Sequence, residues 1–312
     1  MKNLIKTEII KFCEICKKEK ITLFCKTKDY SYKTCDNNFT YLKCNNCDVL
    51  FLKNRPFYKD YKKIYTNNYR AFGNSKFNLP FSLAKLLGNY LKVIKIKKLF
   101  KKKLNVFEVG PGDGQLIRLI SFFKIAKSKN IYCLESDYET AQKLKKFGFN
   151  SKYGTFEKFQ IKKKFDLIIL NQVFEHFKNP ISIIKKLERN LNKDGILLIE
   201  TPTFDFYKSA KDKKKYWGGL HAPRHMYLYN KRSIKKIFKK SKFKIIGFKY
   251  IISPYLLYES FKAKLIGKKL FLISKVISIY NPIFLLNYIL IEFYNLFLIK
   301  KVSNMQIILK KI

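Results

Sequence analysis

The sequence predicts an α/β protein: a mostly parallel sheet with helices on both faces, preceded by a small cysteine-built module. Three observations predict it. From about residue 104 onward, short apolar runs of buried-strand type alternate with amphipathic stretches of helical period. One run, VFEVGPGDG at 106–114, passes straight into glycines at alternate positions, and a second, IYCLE at 131–135, ends in an acid 21 residues after the last of them. Finally, four of the seven cysteines form two C-x-x-C pairs, at 13–16 and 44–47.

The elements follow in order. Cys13, Cys16, Cys44 and Cys47 stand as two knuckles 27 residues apart in a hairpin-like stretch of Thr, Tyr, Phe and Leu, the ligand spacing for one tetrahedral Zn(II) held by thiolates. Such a site has no open position for water, so its expected role is structural. Cys25 and Cys35, inside the gap, are read as spare thiols. The segment MKNLIKTEIIKF lacks the apolar run of a secretory signal, so a reducing cytoplasm is expected rather than a disulfide framework. This module is placed at 1–53. A helical linker at 54–103 follows, rich in Tyr and then amphipathic from Phe81 to Phe100, closing one side of the cleft.

The α/β domain is placed at 104–312. After the first two strands come a helix from Tyr138 to Phe147 stopped at Gly148, a short third strand near Ser151, and FDLIILNQVFEHFKNP at 165–180, whose Leu167–Leu170 run is a fourth strand. Asn179 and Pro180 are the N-cap and first residue of the next helix, with Ile181, Ile184 and Leu187 on one face. A turn at Asp194 and Gly195 leads to the strand ILLIE at 196–200. Units alternating in this way demand right-handed crossovers. A lid is placed at 203–230, a helix with Ile234, Ile237 and Phe238 on its buried face after it, a sixth strand at 244–251, and a seventh at 303–311.

The glycine turn carries the chemistry. A strand, a Gly-rich turn, a helix and a carboxylate about 20 residues on form the arrangement that grips a ribose at the carboxyl edge of a parallel sheet. Gly110, Gly112 and Gly114 fall one residue short of the dinucleotide frame. Glu108 before the turn and Asp113 within it would repel a diphosphate and favour a cation. In these residues the chain resembles the class I S-adenosylmethionine (SAM)-dependent methyltransferases, a resemblance that covers about 104–250. It implies a Rossmann-like seven-stranded sheet with the last strand antiparallel. It also implies that Glu108, Gly110, Gly112, Asp113 and Gly114 form the loop around the methionine moiety, that Glu135 holds the ribose hydroxyls, and that Asn171 binds the cofactor from the same edge. N-terminal zinc ribbons of this kind resemble those joined to bacterial methyltransferases acting on small molecules and surface sugars.

Charge suggests another partner. Lys and Arg number 66 against 22 acids, a net charge of +44, and a basic chain with a zinc module has the profile of a nucleic-acid binder. Only six of these residues are Arg, however, and the lysines run along the whole chain rather than in a stripe. After the fourth strand the chain reads Asn171, Gln172, Val173, Phe174, without the paired prolines of base-amine methylases, and Cys133 lies inside a strand rather than in a loop. Nucleic acid is therefore disfavoured. The positive field still favours peripheral contact with anionic membrane at the inner face, or with a polyanionic glycan.

All three histidines fall where an active site belongs: His176 after the fourth strand, and His221 and His225 in YWGGLHAPRHMYLY at 216–229. A histidine is a suitable general base for a hydroxyl or an acidic carbon. His221 or His225 is the expected base, with His176 next. Glu175, Trp217 and Arg224 are expected to meet the acceptor, Trp217 by stacking and Arg224 by gripping an anionic group. Similar quinone O-methyltransferases carry a Glu-x-x-Glu-His run; here Gln172 takes the first position, which weighs against a catalytic divalent ion. The resemblance thus implies methyl transfer to an O or C atom of a sugar, glycan or lipid-linked metabolite. The competing readings are a zinc-bearing, membrane-associated binding protein without catalysis, and an RNA methyltransferase.

Residues 255–299 are apolar and aromatic, broken at Pro282. The run after that proline borders on the length of a membrane span. Asn287, Glu292 and Asn295 place a polar stripe along it, and a span would part the seventh strand from the sixth. A helical pair over the acceptor cleft or in the membrane interface is expected instead.

Overall fold

The computed structural model describes residues 3–66, 69, 79–206 and 214–312; part of the expected linker and residues 207–213 of the expected lid lie outside them. The N-terminal unit contains strands β1 (Thr7–Ile9), β2 (Ile21–Thr27), β3 (Phe39–Cys44), β4 (Leu50–Leu52) and β5 (Asn54–Pro56). Then come α1 (Tyr61–Ile64) and α2 (Leu79–Leu99). The central domain runs β6 (Val106–Val109), α3 (Gln115–Phe122), β7 (Ile131–Glu135), α4 (Tyr138–Lys146), β8 (Asn150–Tyr153), β9 (Phe165–Asn171), α5 (Pro180–Asn190) and β10 (Leu191–Pro202). It closes with β11 (Tyr227–Leu228), α6 (Lys231–Phe238), β12 (Phe243–Ile251), α7 (Pro254–Gly267), α8 (Phe271–Val276), α9 (Pro282–Leu298) and β13 (Asn304–Lys311).

The main sheet has seven strands in the order β12-β13-β10-β9-β6-β7-β8. β6 to β10 are parallel, and β13 lies antiparallel between β10 and β12. β6 and β9 are buried along almost their whole length, as both-face coverage by helices requires. The strand order reverses at β6, whose neighbours are β7 and β9, so a crevice opens at the carboxyl ends of β6 and β9. Local signals set the helices: Asp137 accepts from the Thr140 amide at 2.8 Å at the head of α4, and Asn179 accepts from Ser182 at 3.1 Å ahead of Pro180. The turn expected at Asp194–Gly195 is absorbed into β10, whose register shifts between Leu191 and Ile196.

Two features depart from expectation. The N-terminal unit is joined to the domain: β11, from the segment expected to form a lid, pairs antiparallel with β4 and completes a four-stranded sheet β11-β4-β3-β2. One continuous core runs from Phe39, Phe51 and Leu52 through Tyr227 and Tyr229 to Phe174 and Ile199. The apolar insertion is three helices rather than a pair, and among the described residues no helix is long and apolar enough to cross a membrane. On α9 two members of the polar stripe, Glu292 and Asn295, point inward, while Asn287 is exposed. Glu292 is fully buried, accepting from the Ser253 amide at 3.1 Å and the Ser303 hydroxyl at 2.9 Å, while Leu286, Leu290, Phe293 and Phe297 face outward.

Candidate active site

The glycine turn caps β6 at the crevice. Gly110, Gly112 and Gly114 all take left-handed backbone conformations, φ +64°, +57° and +69°. A Cβ at Gly110 would come within 2.9 Å of Val173 in the loop after β9, so the turn and that loop are in close contact. Glu135, at the end of β7, accepts from the Gly112 amide at 3.1 Å and from the Ser136 amide at 2.7 Å, and burial raises its pKa. Glu108 is buried, its carboxyl pushed up to about 8 by desolvation, and its Oε2 has no hydrogen-bond partner among the described residues. An ammonium arriving at this turn would supply the missing partner. Asp113 is ion-paired with Lys85 of α2 at 2.6 Å and caps the Gln115 amide at 3.1 Å. Asn171 is half-buried at the tip of β9, opposite Glu200 in the register. These residues suit a cationic nucleoside cofactor.

The loop after β9 and the 214–230 segment bring the three histidines together. The His176 and His225 rings lie 4.7 Å apart and the His221 and His225 rings 4.9 Å apart, centroid to centroid. The Nδ1–H of His225 donates to the Gly219 carbonyl at 2.8 Å, which leaves Nε2 as its basic nitrogen. His176 donates in the same way to the Arg224 carbonyl at 3.0 Å, with the Tyr65 hydroxyl 3.2 Å from the same atom. His221 takes a left-handed backbone, φ +40°, and its ring lies edge-on to Tyr32. Burial lowers all three pKa values, that of His176 to about 4, so the imidazoles are neutral at pH 7. Beside them Glu175 is fully buried. Its Oε2 accepts from the Thr201 hydroxyl at 2.9 Å, its Oε1 lies 3.9 Å from His225 Nε2, and desolvation pushes its carboxyl up to about 8.

Trp217 and Arg224, expected to meet the acceptor, both point into the protein. Trp217 is 3% exposed, and a Cβ at Gly219 would lie 2.2 Å from its ring. Arg224 is fully buried: its guanidinium bonds both oxygens of Asp29 at 3.1 and 3.2 Å and the Ile64 carbonyl at 2.7 Å, and it rests 4.5 Å from the Tyr32 ring centroid. It therefore ties the 214–230 segment to the N-terminal unit instead of gripping an anion. Tyr41 of β3 acts beside it, its hydroxyl 2.6 Å from the Leu220 carbonyl and 2.7 Å from that of His225. Sequence reasoning missed Asp29, Tyr32, Tyr41, Tyr65 and Tyr69 as the histidines' surroundings. The spacing of four among Tyr61, Tyr65 and Tyr69 was the available signal, and it marks a common face without naming the partner.

The sulfurs of Cys13, Cys16, Cys44 and Cys47 lie within 4.8 Å of one another, with Cys13–Cys47 and Cys16–Cys44 both at 3.5 Å. A tetrahedral site with Zn–S bonds near 2.3 Å needs sulfurs about 3.8 Å apart, so the cluster fits Zn(II). The Cys47 hydrogen bond draws the Cys13 thiol down to about 5. Burial instead holds Cys25 at about 12 and Cys35 at about 11, as befits spare thiols. Donor atoms of Glu175, His176 and His225 also lie within 4.8 Å of one another, a second set of the type that can hold a cation.

Comparison with known proteins bears on this arrangement. The family model described as a methyltransferase domain matches residues 85–247, more than half of the chain. The chain belongs to the methyltransferase-domain family. No curated protein matches it in sequence. Among solved structures, a protein of Galdieria sulphuraria described as a sarcosine dimethylglycine methyltransferase superposes with a TM-score of 0.50 at 15% identity, covering 81% of this chain and 98% of that one. Coclaurine N-methyltransferase gives 0.47 at 13% identity, over 82% and 90%. The plantazolicin methyltransferase BpumL gives 0.44 at 17%, over 74% and 84%. At these identities the first likeness bears on the fold alone, and it is the fold described above. This methyltransferase is of class I and SAM-dependent, and the loop that carries His176 touches its glycine turn at Val173.

Proposed function

We propose that the protein methylates an oxygen or carbon of a small acceptor of the sugar, glycan or lipid-linked class, with His225 as general base and His221 and His176 beside it. The observation that carries this reading is the convergence of all three histidines on the loop that touches the glycine turn. In this reading Glu135 holds the ribose of SAM, and Glu108, Asp113, Asn171 and the Gly110–Gly114 turn surround its charged end. Bound SAM supplies a methyl group on a sulfonium, already activated, so the protein must align the acceptor and remove its proton. His225 is held in one tautomer by Gly219 and kept neutral by burial, ready to take that proton at Nε2. The imidazolium so formed stands 3.9 Å from Glu175, whose ionised form it stabilises. Structural Zn(II) on the four cysteines completes the assignment.

The same reading places the protein at an anionic membrane surface. Supporting it are the outward apolar residues of α2, α8 and α9, among them Leu87, Leu272 and Phe297, with Lys97, Lys98, Lys300 and Lys301 at the helix ends. Vesicles containing phosphatidylglycerol should sediment the protein and neutral vesicles should not; equal behaviour with both would remove this part.

Methyl-labelled SAM incubated with the protein and fractionated cell extract tests the function. Label is expected in the glycan or lipid-linked pool, and His225→Asn should lower kcat about 10²- to 10⁴-fold while leaving SAM affinity unchanged. Label confined to RNA, or full activity in the variant, would overturn the proposal.

A further inference from the structure

Beyond the histidines lies a cavity of about 420 Å³ between the loop after β2 and the α7–α8 hairpin. Lys33, Lys262 and Lys275 line it together with Tyr32, Tyr258 and Ser274, and no carboxylate is among its described lining residues. Among the described residues none of the three ammonium groups is paired with an acid. Three like charges around one concavity repel one another unless an anion joins them. Tyr32 forms a shared wall: one part faces this cavity, while its ring stands 5.5 Å from that of His221. At the mouth, α8 exposes Phe271, Leu272 and Val276.

We propose that this cavity is the subsite for a phosphate or diphosphate ester on the methyl acceptor, seated so that the rest of the acceptor reaches the histidine cluster past Tyr32. The inference rests on the methyl-transfer reading above and names its substrate class. Lysines act on phosphate as point charges, and the tyrosine and serine hydroxyls add donors that do not depend on the ester's remainder. The apolar rim gives a lipid-linked ester a place for its chain, whereas a soluble phosphorylated sugar would use the cavity alone.

Titration calorimetry of the full chain at 0.15 M salt, with inorganic pyrophosphate and with farnesyl diphosphate, tests the inference. Saturable binding is expected, weakened about tenfold or more by Lys262→Met/Lys275→Met and less than twofold by Lys145→Met/Lys146→Met, which removes equal charge at the end of α4. Tighter binding of the farnesyl ester would point to a lipid-linked acceptor, and equal binding to a soluble ester; both support the subsite. Absence of pyrophosphate binding, or equal weakening by the two variants, would overturn it. SAM affinity, measured on the same samples, reports folding. Its absence in the wild-type protein would count against the methyl-transfer reading, whereas intact SAM binding without site-specific anion binding would refute the subsite alone.

Discussion

Asp29→Asn is expected to destabilise the protein by about 3–5 kcal/mol, the usual cost of leaving one member of a buried ion pair without its partner. Arg224 is enclosed by Asp29, the Ile64 and Ala222 carbonyls and the rings of Tyr32, Tyr65 and Tyr69. Among the described residues Asp29 is the one carboxylate bonded to it, at 3.1 and 3.2 Å. It also accepts from the Tyr32 and Thr34 amides and the Thr34 hydroxyl, so an Asn there must set its own N–H groups against existing donors. Urea denaturation followed by circular dichroism reads the change, which in a chain of this size corresponds to a melting shift on the order of 10 °C. Arg224→Met/Asp29→Asn removes the stranded cation and fills its volume, and should recover about half of the loss or more. A single-variant loss below about 1 kcal/mol, or a double variant no more stable than the single, would refute the claim that this pair fastens the 214–230 segment.

Further outcomes follow from the same geometry. Glu135→Ala should weaken SAM binding by about 10- to 100-fold, the cost of losing charge-assisted hydrogen bonds, and calorimetry showing unchanged affinity would remove Glu135 from the ribose site. Cys44→Ser should abolish bound zinc by elemental analysis and expose residues 214–230 to trypsin, because Tyr41 and β4 hold that segment; a wild-type protein free of zinc yet protected there would sink the idea. The Glu175 pKa of about 8 stands above its ordinary carboxylate value, so between about pH 4.3 and 8 the folded state holds a proton that the unfolded chain has lost. Stability should therefore fall with rising pH across that window, relative to Glu175→Gln, by up to about 1.4 kcal/mol per pH unit. A flat difference would mean that Glu175 is ionised in the native protein.

Much of the α/β layout is legible in the chain because its determinants are local. Apolar runs ending in Gly110 or Glu135 mark strands and the acids at their tips, Asn179-Pro180 marks a helix start, and the sulfur spacing marks a thiolate site. The antiparallel seventh strand follows from family order. What the chain could not show is which side of an element faces which neighbour. Asn287, Glu292 and Asn295 are visible as a polar stripe, yet only the packing of Ser253 and Ser303 against Glu292 turns Glu292 inward and leaves the apolar residues outside. Arg224 reads as an anion grip until Asp29, 195 residues away, is seen to occupy it. The two β strands that join the 214–230 segment and the N-terminal unit, Tyr227–Leu228 and Leu50–Leu52, are too short to signal a pairing by themselves. Residue chemistry and local period thus determined the sheet, the glycine turn and the four-cysteine cluster. Long-range pairing, whose partners no local pattern encodes, decided how the 214–230 segment is held, where the histidines meet and which face of the last helix remains open.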